Sequence, residues 1–469
     1  MSAPVVIPAA TGAAPASARG ELRELLRLAG PLVVANLLQM AVYAVDVVFV
    51  ARLGEVELAA ATLGVYVYSV VMWALVGMTG AAAPLIAAEL GARAHAVREV
   101  RRSFRMALWL TAVATAPFLL LLAHGEALLL LAGQDARVAA RADAFLDILL
   151  WAMVPAVAAS VMRTAAAALG RPAYAMVVNI LALGVAVAAN WLLVFGNLGF
   201  PRLGLEGSAL ASVITTGAML LAYSAILLLD PRIRRFRLFG RWWRPEWPRL
   251  LEIVKLGVPI ALTLTFEGAL FGGAGFLMGL IGVTEVAAHA VALNIAAIAF
   301  QVPFGIAQAA TIRVGLAFGA ADRLWIARAG WVALGVTVGF MALTAAALLL
   351  FPRLFVSAYV DAGAAGNARL VALSVQLLLI AAMFQLFDGG QVVAAAVLRG
   401  LQDTRVPMLV ALFGYWVAGF GTAVLLGFQA GWGGTGIWWG LAMGVAVVYA
   451  LLLWRWAARE RLRLLPASA

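Results

Sequence analysis

Apolar stretches long enough to cross a bilayer, about twenty residues each, recur along almost the whole chain, separated by short polar segments. Their spacing predicts twelve helices starting near residues 25, 58, 103, 143, 172, 207, 253, 286, 328, 370, 405 and 434. Within several of them the few polar residues fall on one face. Asn36, Gln39, Tyr43 and Asp46 follow each other at steps of three, four and three in the first helix, and Thr62, Tyr66, Ser69 and Trp73 at steps of four, three and four in the second. Asn294, Gln301 and Gln308 share a face of the eighth helix, and Asn179 and Asn190 share one of the fifth. The tenth carries Asp388 in the middle of apolar sequence, with Gln385 and Gln391 one turn to either side. A stripe of this kind, on a helix otherwise apolar all round, faces a bundle interior or a water-filled path rather than lipid.

Composition agrees. The 469 residues are 65% hydrophobic and 12% charged, with a mean hydropathy of +1.02, against about 25% charged in soluble domains. The pattern predicts an all-α polytopic membrane protein. A net charge of +11 suggests nucleic acid at first sight, but nearly every cation is an arginine lying between apolar runs. There it orients helices and forms no phosphate-binding face. No cysteine is present, which excludes disulfides and thiolate metal sites, and His95, His124 and His289 are scattered. Neither a phosphate-binding loop nor an HExxH run occurs, so no enzyme is expected. Energy would come from an ion gradient.

Tails and even-numbered connections hold 27 of the 33 Lys and Arg, which places both termini in the cytoplasm. Residues 1–24 read as a disordered N-terminal tail, 25–229 as an N-terminal lobe of six helices, and 230–252 as a basic cytoplasmic linker whose Trp and Arg suit a headgroup surface. Residues 253–457 read as a C-terminal lobe of six helices and 458–469 as a cytoplasmic tail. The lobes repeat. A shift of 228 lays Pro31 on Pro259, Gly54 on Gly282 and Gly91-Ala92 on Gly319-Ala320 without a gap. The same shift puts Tyr66 on Asn294 and Trp73 on Gln301. Six helices per repeat give both lobes one orientation, related by a pseudo-twofold along the membrane normal, and transporters so built bind substrate between their halves.

Three acids stand apart. A carboxylate at the centre of a spanning helix costs about 2.5–3.5 kcal/mol on insertion scales. Asp46, Glu267 and Asp388 each incur that cost, with no Lys or Arg expected beside them in the membrane. Such a group holds a proton or binds a cation. An isolated Asn or Gln, by contrast, serves equally well as interhelical glue.

These features resemble the multidrug and toxic compound extrusion (MATE) family, in its bacterial NorM-like branch. The residues that carry the resemblance are VDVVFVARLG after Asp46, AAHAVALN at Ala287 to Asn294, TIRVG at Thr311 to Gly315, and LFDGGQVVAAAVLRGLQDTRVP. It implies two six-helix lobes around a central cavity in the bacterial inner membrane, expelling amphiphilic, mostly cationic drugs by alternating access in exchange for protons or sodium ions. On that likeness Asp388 and Glu267 couple the cation, as ligands if it is sodium. Asp46 and Asn190 form a second cluster, with Asn179 on the same helix face, and Pro31 is a bending point. Two positions depart from the family pattern: Ala186 and Phe384 stand where relatives can carry Asn and Tyr. Both lack an oxygen, which favours protons. Gln39, Tyr43, Tyr66, Trp73, Asn294, Gln301, Phe384, Gln385 and Phe387 are the expected cavity lining, with aromatic faces for flat cations.

The expected partners are therefore small organic cations and the bilayer, with no cofactor, no nucleic acid and no obligate protein partner. A flippase for lipid-linked sugars is the alternative. It needs arginines ringing the cavity, whereas the pattern here puts them at the cytoplasmic helix ends.

Overall fold

The computed structural model describes residues 15, 17–93, 96–240, 242–361 and 364–466. Most of the expected tail, His95 and the last three residues lie outside them. Among the described residues there is no strand, and twelve helices are long and apolar enough to cross a membrane. They are α1 (Ala18–Ala51), α2 (Glu55–Ala92), α3 (Val97–Leu122), α4 (Ala136–Ala168), α5 (Ala173–Leu193), α6 (Leu205–Leu229), α7 (Trp247–Ile281), α8 (Val283–Gly319), α9 (Arg323–Leu350), α10 (Ala368–Gly400), α11 (Arg405–Gln429) and α12 (Gly433–Ala457). In hydrocarbon every backbone N–H and C=O must be satisfied within the segment, which leaves the helix as the form for these runs.

Most helices begin a few residues before the apolar pattern does, because helical hydrogen bonding continues through the polar turns at each end. The largest difference is at α1. It starts at Ala18, inside the stretch expected to be a disordered tail, and Glu21 in its first turn is fully buried. The linker differs too. It contains the short helix Pro231–Arg234, buries Ile233, Phe236 and Leu238, and gives its last residues to α7. Trp109 Nε1 donates to the Trp242 carbonyl at 2.8 Å, and Phe239 stands edge-on to Phe104. The linker's Ile233, Phe236 and Leu238 thus face the protein, while Trp242, Trp243 and Trp247 stay exposed.

The contacts divide the chain into two compact units, and the division does not fall in the linker. One unit is Val34–Ala261; the other joins the described residues up to Val33 to those from Leu262 onward. Helices α1 and α7 therefore each belong to both units. Each cut falls just after a proline inside its helix, Pro31 and Pro259. A proline there removes one backbone hydrogen bond and loosens the helix locally.

Ion pairs fasten the helix ends within each unit. In the second, Arg313 of α8 grips Glu21 with two bonds of 2.7 and 2.6 Å, and Trp325 Nε1 donates to the same carboxylate at 3.0 Å. Both charges are essentially without exposed surface, at 1% and 0%. In the first, Arg249 of α7 pairs with Glu89 of α2, and Glu246 with Arg102 and Arg105 of α3.

Candidate functional site

Two polar clusters form inside the helices, one in each unit. In the second unit, α10 is held close to its neighbours by Gly389 and Gly390. A Cβ at Gly389 would stand 2.6 Å from Met341 of α9, and one at Gly390 would stand 2.7 Å from Tyr449 of α12. Asp388, immediately before them, is consequently buried, with 5% of its surface exposed. The side chain that organises the cluster is Gln391. Its Nε2 donates to Glu267 Oε1 of α7 at 3.0 Å and to Asp388 Oδ1 at 3.2 Å. Its Oε1 accepts from the Tyr415 hydroxyl of α11 at 2.5 Å. One amide thus ties two carboxylates to a buried phenol, with all its groups correctly matched: N–H to carboxylate, carbonyl to O–H.

Tyr415 reaches this point because α11 is π-helical over Phe413–Phe420. The wider turn moves its side chains out of the α-helical phase, a device common at functional sites. Gly414 and Gly419, packed against Val448 and Gly444 of α12, leave room for it. Next to the cluster, Phe384 is edge-on to both Phe271 and Trp438, with ring centroids 6.0 and 5.7 Å apart. Trp438 Nε1 donates to His289 Nδ1 at 3.1 Å, which puts the neutral imidazole's proton on Nε2.

The cluster of the first unit is smaller. Asp46 of α1 accepts from Asn190 Nδ2 of α5 at 2.7 Å and from Ser212 Oγ of α6 at 3.2 Å. Asn190 also donates to the Ala186 carbonyl at 2.9 Å.

The structure thus brings Glu267 together with Asp388, and Asp46 together with Asn190. Asn179 does not join them. It is fully buried and bonds the Ala175 carbonyl of its own helix at 2.8 Å. Of the expected cavity residues, Tyr43, Tyr66 and Trp73 have about half their surface exposed, at 50, 55 and 49%, and Asn294 is exposed. Gln39, Gln301 and Phe387 are half-buried. Phe384 and Gln385 correct the expectation of a cavity lining: at 1% exposure each they sit in the interior of their unit, on the packed side of α10. Three contributors were not foreseen. Gln391 was visible only as a neighbour of Asp388 on its helix, Ser212 not at all, and Tyr415 is hidden by the π-helical phase. Among the described residues no group of three His, Cys, Asp or Glu is placed to hold a metal ion.

The MatE family model matches residues 31–192 and again 259–425. The chain belongs to the MATE family. The two matches begin at the two helix prolines, Pro31 and Pro259, so the family model itself reads the internal repeat. The chain is 46% identical over 444 residues to a probable multidrug resistance protein NorM of Mesorhizobium japonicum, covering 95% of each chain. It is 40% identical to the multidrug resistance protein NorM of Burkholderia vietnamiensis, over 95% of this chain and 96% of that protein. Among solved structures it resembles a mutant of the Vibrio cholerae MATE transporter VcmN, with a TM-score of 0.86 at 17% identity, over 95% of this chain and 98% of that one. It also resembles an outward-facing multidrug resistance MATE transporter, with a TM-score of 0.84 at 19% identity, over 95 and 96% of the two chains. Those likenesses place the chain in the MATE fold.

Proposed function

We propose that this MATE-family chain is a proton-coupled antiporter of the bacterial inner membrane, with both termini cytoplasmic, exporting amphiphilic and mostly cationic drugs by alternating access. The observation that carries the reading is the pair Glu267 and Asp388 sharing the single Gln391 amide. Two desolvated carboxylates repel each other, and a positive charge relieves the repulsion. A proton can supply that charge, and so can an organic cation nearby. Each occupant then weakens the case for the other, which is the competition an antiporter needs. Tyr43, Tyr66 and Trp73 offer exposed aromatic faces for the cation, and the NorM name of the relatives supports the same substrate class.

Sodium fits the donor set less well. It is a cation that wants several oxygens, yet the group between the two carboxylates presents N–H, and Phe384 brings no oxygen. Proton coupling needs only the carboxylates.

Ethidium efflux from energised cells tests this, with an uncoupler and a sodium pulse applied separately. Export that collapses with the uncoupler and ignores sodium is expected. Export that survives the uncoupler and accelerates with sodium overturns the coupling ion, and no export under either condition overturns the transport reading.

A further inference from the structure

We infer that Tyr415 sets which cation the Glu267–Asp388 site accepts, by fixing the orientation of the Gln391 amide. This rests on the coupling role proposed for the two carboxylates and adds a residue that touches neither of them through any hydrogen bond of its own.

A primary amide has one accepting end and one donating end. Near two carboxylates and no cation, the donating end must face them. With a bare metal cation between them, the accepting end turned inward supplies a further ligand oxygen, which the N–H end cannot. The two occupancies therefore favour opposite orientations of Gln391. Tyr415 chooses between them. Its hydroxyl donates to Gln391 Oε1 at 2.5 Å, and both residues are buried, at 1 and 2% exposure. Turning the amide would place N–H₂ against the hydroxyl. The oxygen of Tyr415 could accept that contact, but its proton would lose the carbonyl it is bonded to. A buried donor left without an acceptor is costly. Tyr415 thus holds the amide in a form that a proton leaves intact, since a carboxyl keeps a carbonyl oxygen for the N–H, and opposes the form that gives sodium another oxygen. The neighbouring ring cannot make good the missing ligand, since Phe384 stands edge-on to Phe271 and Trp438 and offers only carbon. Tyr415 is a positioning residue acting through Gln391.

The test compares dye export from proteoliposomes holding the full chain, driven in turn by a pH gradient and by a sodium gradient, and reads the ratio of the two rates. The wild type is expected to respond chiefly to the pH gradient, with a sodium-driven rate that is small but measurable. In Tyr415→Phe the amide is free to turn, and the sodium-to-proton ratio is expected to rise about tenfold, the worth of one buried hydrogen bond. Gln391→Glu, which puts oxygen where N–H stood, is expected to move the ratio the same way, and Tyr415→Leu takes the place of Tyr415→Phe if that variant does not fold. A ratio unchanged in both variants overturns the inference, and so does a wild type driven chiefly by sodium. If the wild type exports nothing under either gradient, the transport reading has failed and binding of radioactive sodium to the purified protein decides this one. Tighter retention by Tyr415→Phe than by the wild type supports it, and equal retention overturns it.

Discussion

The two halves share a scaffold and differ in their chemistry. At the helix ends away from the chain termini, the repeat is literal. Glu57 pairs with Arg141 at 2.9 Å, and 228 residues on Glu285 pairs with Arg369 at 3.0 Å. At the terminus-bearing ends the same architecture is kept with its charges reversed. Glu21 and Arg249 are also 228 apart, yet one is the acid of a pair with Arg313 and the other the base of a pair with Glu89. The connection before the fifth helix of each half behaves likewise, with Arg171 on Asp230 at 3.4 Å and Asp403 on Arg455 at 2.6 Å. Reversal has a physical use. The leading turns of α1 and α7 each dock in the unit that does not hold the rest of their own half. If Glu21 entered the site of Arg249 it would meet Glu89, and Arg249 in the other site would meet Arg313. Like charges there exclude the wrong pairing, as complementary charges select partners elsewhere.

Deep in the membrane the difference is one of position. The acid of the first unit lies on α1, and Gln39 stands on that helix where the repeat has Glu267. The first unit consequently has one carboxylate with two neutral donors, and the second has two carboxylates with one donor between them. Only the second contains two carboxylates that repel each other; contrary to the expectation of no Arg near them, the Arg399 guanidinium acts on Glu267, and a cation can relieve the rest.

The largest effect belongs to the buried latch. Arg313→Leu leaves Glu21 charged and unpaired, and should cost about 3–5 kcal/mol of stability. A thermal melt of the detergent-purified protein reads it, and the reversed pair Glu21→Arg with Arg313→Glu should recover a good part of the loss. Next come the two clusters. Asp388→Asn should lower dye export about 100-fold, near the upper end of what a coupling free energy supplies. Asp46→Asn removes a lone carboxylate and should cost only about fivefold on the same scale. Equal losses in a vesicle efflux assay would mean that the asymmetry of the clusters has no consequence for transport.

The smallest effect concerns Asp230, in the connection after α6. Burial pushes this carboxyl up, but the Tyr174 hydroxyl, the Arg232 backbone N–H and the Arg171 guanidinium together outweigh it and hold the group below its ordinary value. A lowered carboxylate stabilises the fold above the unfolded-state value near 3.9, and that contribution is lost as pH falls through the folded-state value. Tyr174→Phe should therefore melt slightly lower than the wild type at neutral pH, with the gap closing below about pH 4. A gap that widens in acid would reverse the assignment.

Twelve helices, their repeat and the three intramembrane acids could be read from the chain, because each depends on local properties. A bilayer demands runs of fixed length and low polarity, and a charge inside such a run is conspicuous wherever it occurs. The pairing of Asp46 with Asn190 came from the resemblance to the MATE family and not from spacing, which related Asn190 only to Asn179 on its own helix. Other features needed the folded chain. The first turn of α1 looks like a polar tail until Glu21 meets Arg313, nearly three hundred residues away. Phe384 looked like a cavity residue because periodicity gives a helix a polar side but does not say which neighbour covers it; Trp438 and Phe271 do. Tyr415 could not be assigned from spacing, because a π-helical stretch does not keep the period on which spacing arguments rest. Sequence alone thus determined where charge enters the membrane. Which donor each charge meets was decided by packing, through contacts between helices that no single helix encodes.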